Sequence, residues 1–186
     1  MQKIFLLQFP GYDRRLLIKL VSAVAVTGSL LAGLPVITAA QGLPGLTLFG
    51  GVKSENQLPF RLDFGGQADT WERFRLRIPA RKMNLAAIKF VVSYPDYYQG
   101  SFDPNKVEVT VKGKKVLLDQ VKWNKEARLI EIFPQEPIPA GGEVELVLSN
   151  VKTPSFGGMY YFNCQILSPG ELPLLRYVGT WVLNIS

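Results

Sequence analysis

From Leu58 onward the chain alternates apolar and polar residues in short runs separated by Gly, Pro, Asn and Asp, the period of half-buried strands. Phe60, Leu62 and Phe64 make one such apolar face. Trp71, Phe74, Leu76 and Ile78 make a second with a one-residue break, ended by Pro79, which has no ladder donor. Ile88–Val92 is almost continuously apolar and predicts a central strand. Val107, Val109 and Val111 lead through Gly113-Lys114 into Val116-Leu117-Leu118, a hairpin pattern. Leu129, Ile130 and Ile132 precede Pro134, and after a turn over residues 137–142 Val144, Leu146 and Leu148 alternate with polar positions. Tyr160–Ile166 and Leu175–Ile185 supply two more strands. No long 3.6-residue period competes; a single helical turn fits within Ala80–Ala87. About eight short strands at this spacing predict an all-β fold, an immunoglobulin-like antiparallel β-sandwich over residues 58–186. Residues 41–57, rich in Gly and Leu, read as a linker or edge segment.

The first forty residues read as a signal peptide. Lys3, Arg14, Arg15 and Lys19 precede an apolar stretch from Leu20 to Ile37, which gives way to Thr38-Ala39-Ala40, so cleavage is expected after Ala40. The alternative is an uncleaved anchor, but Ser22, Thr27, Gly28, Ser29 and Gly33 dilute a run already short of the ~20 residues a spanning helix needs. Asp13–Lys19 resembles a twin-arginine export motif, departing from it at Asp13 and Leu17. Leu34 stands where a lipoprotein box would need cysteine, so no thiol can be acylated there.

Composition removes several classes of chemistry. The chain has 186 residues and no histidine, which excludes Ser-His-Asp and Cys-His catalysis, HExxH zinc sites and histidine pH switches. One cysteine, Cys164, excludes a disulfide framework and reads as a buried structural thiol. Four basic residues and one acidic residue lie in the signal, so the remaining chain is only mildly basic. The densest cluster, Lys112-Gly113-Lys114-Lys115, sits at an expected hairpin turn, which fits solvated edges and not a nucleic-acid surface.

Asp69-Thr70-Trp71-Glu72-Arg73, Ser93-Tyr94-Pro95, Phe102-Asp103-Pro104 and Leu148-Ser149-Asn150-Val151 form one set of motifs. Tyr160-Tyr161-Phe162-Asn163-Cys164, Leu167-Ser168-Pro169-Gly170 and Arg176-Tyr177-Val178-Gly179-Thr180-Trp181 complete it. Together they resemble a small secreted cyanobacterial family classed as a domain of unknown function. The resemblance covers about Leu58 to Ile185 and implies an extracytoplasmic β-rich envelope protein. It brings no activity, cofactor or functional residues.

The candidate sites come from the residues themselves. Tyr94 to Phe102 packs aromatics and small polar groups into a loop between strands; Tyr97 and Tyr98 are candidate ligand-binding rings, since a sugar stacks its apolar face on a ring while side chains bond its hydroxyls. Packing over the core edge is the plainer account of the same residues. Arg73, Arg75 and Arg77 alternate, hence share a face that could meet an anionic polymer or pair with Glu143 or Glu145 across strands. Glu72, Asp63 and Glu131 are expected on solvent faces. Asp96, Asp103 and Asn105 are too few for calcium, and Asp103-Pro104-Asn105 is turn chemistry, so no metal is expected. Ser155-Phe156-Gly157 lacks the first glycine of a nucleophile elbow.

These readings converge on an exported, non-enzymatic binding or structural module in periplasm or envelope, without cofactor. Its partner would be envelope polysaccharide or a protein engaged by strand addition. Nucleic acid is not expected, and membrane contact is expected only through an uncleaved signal. A histidine-free hydrolase with paired carboxylates is the rival from another class.

Overall fold

The computed structural model describes residues 51–170 and 174–186; the signal segment, with Ala40, lies outside them. Ten strands follow in order: β1 Phe60–Leu62, β2 Trp71–Ile78, β3 Lys89–Ser93, β4 Val107–Val111, β5 Lys114–Val116, β6 Leu118–Asn124, β7 Leu129–Pro134, β8 Val144–Lys152, β9 Gly158–Leu167 and β10 Leu175–Ile185. They build two five-stranded antiparallel sheets, ordered β1-β2-β8-β4-β5 and β10-β9-β3-β7-β6. The fold is thus an all-β, immunoglobulin-like sandwich. The only helical elements among the described residues are three short 3-10 turns, and no helix there is long and apolar enough to cross a membrane.

Alternation decides the layers. Phe74, Leu76 and Ile78 of β2 and Val144, Leu146 and Leu148 of β8 face Phe90 and Val92 of β3, Phe162, Cys164 and Ile166 of β9, and Trp181 and Leu183 of β10; all are buried. Phe74 and Phe162 meet edge to face across the core at 6.1 Å. Trp181, fully buried, donates its indole N–H to the Arg77 carbonyl of the opposite sheet at 3.0 Å, satisfying the one polar atom its burial brings inside. The short apolar run predicted to be central is β3, the middle strand of its sheet.

Two expectations need correction. The break expected in the β2 pattern is absent: β2 alternates throughout, with Glu72, Phe74, Leu76 and Ile78 all facing in, so Trp71 is 58% exposed while Glu72, expected outside, is 1% exposed. The register shift against β8 is a bulge in the partner strand, where Ser149 and Asn150 oppose the single residue Arg73. Phe64, expected to continue the inward face of Phe60 and Leu62, lies beyond the end of β1 and is exposed. The strand β6 is an addition, its Val121 and Trp123 packing against the core. Ahead of β1, Ser54–Asn56 forms a 3-10 turn, Gln57 bridges Thr180 in parallel, and the Leu58 N–H donates to the Thr180 carbonyl.

Candidate functional site

Strand direction sends the chain from Ser93, the last residue of β3, into a loop over one end of the sandwich. The loop cannot continue the ladder, and its rings are instead drawn into the core: Tyr94, Tyr98 and Phe102 are all buried. Tyr98 and Phe102 stack at 5.4 Å, and Tyr98 stands perpendicular to Phe162 at 5.0 Å. The Tyr98 N–H donates to the Pro95 carbonyl, and the Gln99 amide donates to the Asp96 carbonyl, making a tight turn. Trp123 donates its indole N–H to the Tyr94 hydroxyl at 2.7 Å, fixing that ring from β6.

The second wall is the β6–β7 hairpin. Asn124 Oδ1 accepts from the Ala127 N–H, and the Arg128 N–H donates to the Lys125 carbonyl. Arg128 sits at φ 56°, a left-handed conformation that costs a side-chain-bearing residue ~1–2 kcal/mol. Its carbonyl accepts from the Tyr94 N–H at 3.2 Å, tying hairpin to loop. Between them lies a cavity of about 270 Å³. Tyr94, Tyr98 and Gly100 line its inner part; Asp96 and Gln99 of the loop and Lys125, Glu126 and Arg128 of the hairpin line the rest.

One lining residue carries an anomalous atom outside the open space of the cavity. The Tyr98 hydroxyl is buried and has no hydrogen-bond partner in the protein. Burial first, then the neighbouring Tyr160 and Tyr94 hydroxyls, push its pKa far above the usual tyrosine value, so it stays a neutral O–H donor. A buried hydroxyl without a partner costs about 1–3 kcal/mol.

The sequence-predicted residues are divided by the fold. Tyr97 is 52% exposed, its ring 5.6 Å from Tyr160, and is free to meet a ligand on its outer face. Tyr98, read as its partner in an exposed platform, is corrected to a core ring at 3% exposure that reaches the cavity. Lys125, Glu126 and Arg128 were invisible as site residues, because a Lys-Glu-Ala-Arg turn reads as solvated surface; only the adjacency of β3 and β7 brings them to the loop.

Arg73, Arg75 and Arg77 do share the outer face of β2, away from the cavity, but they are not a free cationic patch. Asp63 takes Arg61 at 2.9 Å, Arg75 at 2.8 Å and Arg73 at 3.6 Å, and Glu145 lies 3.6 Å from both Arg75 and Arg77. An anionic polymer would have to compete with both carboxylates. Burial raises the Asp63 pKa, but the hydrogen bonds and charges of Arg75 and Arg61 outweigh it and hold the carboxyl below its ordinary 3.8. A lowered folded pKa contributes stability above the ordinary value that is lost as pH falls toward the lowered one. Asp63→Asn is therefore expected to flatten the acid limb of the stability profile below about pH 4 and leave three arginines repelling one another, so added salt should stabilise the variant more than the parent. Urea midpoints across pH and NaCl concentration check this; parallel profiles for the two proteins would retire it.

Other candidates resolve into structure. The two Asp103 carboxyl oxygens accept from the Asn105 N–H and the Asn150 side-chain amide, which caps a 3-10 turn. Among the described residues no group of three or more Cys, Asp or Glu is placed to hold a metal. Cys164 is fully buried, and burial raises its thiol pKa far above the usual range. Glu131 is half-buried on the outer face of β7 and pairs with Lys89 at 2.9 Å.

A family model described as "Protein of unknown function (DUF2808)" matches residues 46–185. No curated protein matches the chain. Among solved structures it is similar to BslA, a bacterial hydrophobin, at 14% identity and TM-score 0.45, covering 70% of this chain and 97% of that one. It is also similar to the collagen-binding domain of a Staphylococcus aureus adhesin, at 10% identity and TM-score 0.40, covering 69% and 95%. An uncharacterized Nocardia farcinica protein with an immunoglobulin-like fold matches at 13% identity and TM-score 0.40, covering 70% and 98%.

Proposed function

The chain belongs to the DUF2808 family of unknown function, which passes on no activity, and from its own surface we propose an exported, non-enzymatic envelope module that binds a saccharide in the loop–hairpin cavity. The observation that carries this reading is the loop–hairpin cavity itself, lined by the Tyr94 and Tyr98 side of the loop and by the polar side chains of Asp96, Gln99, Lys125, Glu126 and Arg128. A saccharide suits this lining: hydroxyls for Asp96, Gln99, Lys125, Glu126 and Arg128, and C–H faces for tyrosine rings. Tyr97, exposed on the same loop, offers a ring to a neighbouring sugar.

Asp96 and Glu126 both line the cavity, which is the arrangement a carboxylate hydrolase would start from. Both are exposed, however, and no catalytic motif accompanies them in the sequence. Bound saccharide is therefore expected to be recovered uncleaved after prolonged incubation; turnover with a bell-shaped pH profile would establish the enzyme instead.

Asp96→Ala combined with Glu126→Ala tests the reading. Both side chains are exposed, so folding stability should stay within about 0.5 kcal/mol of the parent. Binding to envelope polysaccharide, measured by co-sedimentation, should fall about tenfold, because ligand hydroxyls lose their acceptors. Equal binding by parent and variant would remove the cavity from consideration.

A further inference from the structure

Resting on the saccharide reading above, we infer that the site holds consecutive sugar units of a chain, running from the loop–hairpin cavity over the hairpin tip into a second cavity, and not an isolated sugar. The second cavity, of about 580 Å³, lies along the β6–β7 hairpin and is lined by Lys122, Trp123 and Asn124 of β6, Lys125 and Glu126 of the tip, and Glu131 of β7. Lys125 and Glu126 line the first cavity as well, so the two adjoin at the tip. Their linings also meet deeper in the fold. Trp123 belongs to the second and Tyr94 to the first, and the Trp123 indole N–H donates to the Tyr94 hydroxyl at 2.7 Å. Both cavities are open on the solvent side, so a chain entering one has a path to the other.

Strand register furnishes the second stretch with the same kind of chemistry as the first. Lys122 and Glu131 stand opposite each other in the β6–β7 ladder, and alternation puts Asn124 on the same face as Lys122. Lys122 is exposed, its ammonium over the Phe133 ring at 5.6 Å, and keeps N–H donors for ligand oxygens. Glu131, 2.9 Å from Lys89, is an acceptor for ligand hydroxyls. From Lys122 to the tip at Lys125 the extended chain covers about 10 Å, so the lining continues past the first cavity by more than the width of one sugar ring. The tip between the cavities is fixed: Asn124 Oδ1 accepts from the Ala127 N–H at 2.9 Å, and the Arg128 carbonyl accepts from the Tyr94 N–H at 3.2 Å. A path already formed orders no loop when a chain binds, so a further sugar unit adds contacts at little entropic cost.

The test is calorimetric titration of the full chain with envelope polysaccharide cut by partial acid hydrolysis and sorted by size into single units, short oligomers and longer fragments. The expected result is affinity for the oligomers more than about tenfold above that for the single units. Single units too weak to detect satisfy the same expectation. Two single variants separate the cavities, since of the two Asp96 lines only the first and Lys122 only the second, and both side chains are exposed. Lys122→Ala should weaken oligomer binding about threefold to tenfold and leave single-unit binding unchanged, whereas Asp96→Ala should weaken both, each at the parent's melting temperature. Equal affinity for single units and oligomers overturns the extended site and leaves the saccharide reading standing. Oligomer binding indifferent to Lys122→Ala does the same, as does a loss that is equal for single units and oligomers. No binding of any probe overturns the saccharide reading itself. Binding indifferent to Asp96→Ala places the ligand elsewhere and overturns both.

Discussion

Replacing Glu72 by alanine is expected to lower folding stability by about 3–5 kcal/mol, although no sequence feature marks the residue as structural. The side chain is 1% exposed, and its two carboxyl oxygens accept three backbone N–H groups: Phe64 at 2.7 Å, Gly66 at 2.8 Å and Arg73 at 2.7 Å. Two of these donors belong to the turn between β1 and β2, and the third, Arg73, lies opposite the bulge in β8, where the ladder register is interrupted. Alanine would leave all three buried or half-buried donors unsatisfied and open a cavity the size of the lost side chain, and these losses add. Charged acceptors make the strongest such bonds, so several kilocalories rest on one residue. Glu72→Gln keeps the shape and one acceptor oxygen and should fall between parent and alanine. Urea unfolding of the three proteins measures the order. A midpoint for Glu72→Ala equal to the parent's would mean that water replaces the carboxylate without loss, and this role for Glu72 would fail.

The second large effect is expected at Gly100. A side-chain carbon there would lie 2.5 Å from the Lys152 carbonyl oxygen and 2.6 and 2.7 Å from the Cε1 and Cζ atoms of Tyr98. The carbonyl cannot yield, because Ser101 and Lys152 exchange two backbone hydrogen bonds of 3.0 Å. The ring cannot yield freely either, packed as it is on Phe102, Phe162 and Tyr160. Gly100→Ala should therefore cost about 1–3 kcal/mol of overpacking and, by displacing the Tyr98 residue that lines the cavity, weaken saccharide binding more than tenfold. Gly113→Ala is the comparison that isolates the cause: it sits at φ 77° in open space, so alanine there is strained by about 1–2 kcal/mol and touches nothing near the cavity. Similar stability losses with binding lost only at Gly100 is the expected pattern. Full binding by Gly100→Ala would show that the cavity lined by Tyr98 and Gly100 is not where the ligand rests.

Legibility followed the strength of local periodicity. In β2, β4, β8 and β9 each second residue meets the core, so strand positions and inward faces could be read directly. At Glu72 the alternation held and the residue type misled: it shares the inward parity of Phe74, but a carboxylate was expected outside. The pattern itself failed where the backbone left the ladder. At Tyr97 and Tyr98 two adjacent rings were read as equivalent, yet the Pro95–Tyr98 turn sends one outward and one into the core. The tyrosine loop was visible as an aromatic-rich interruption between strands, and so was the arginine face, because alternation alone places Arg73, Arg75 and Arg77 together. Their neutralisation by Asp63 and Glu145 was only half visible: Glu145 is a cross-strand partner, whereas Asp63 arrives from the far end of β1.

The amino-acid sequence by itself determined the all-β sandwich, the two inward faces and the absence of every histidine-dependent chemistry, because these depend on residue type and on a two-residue period that survives without tertiary context. The tertiary structure alone decided the site. Its two walls, residues 94–100 and 125–128, become neighbours only because β3 and β7 pair, and strand order is set by how the sheets bury their combined apolar surface. The same packing presses Tyr98 against Phe162 and Phe102, and so leaves its hydroxyl buried without a partner. A local pattern carries no trace of that, since burial of a loop residue is a property of what folds over it.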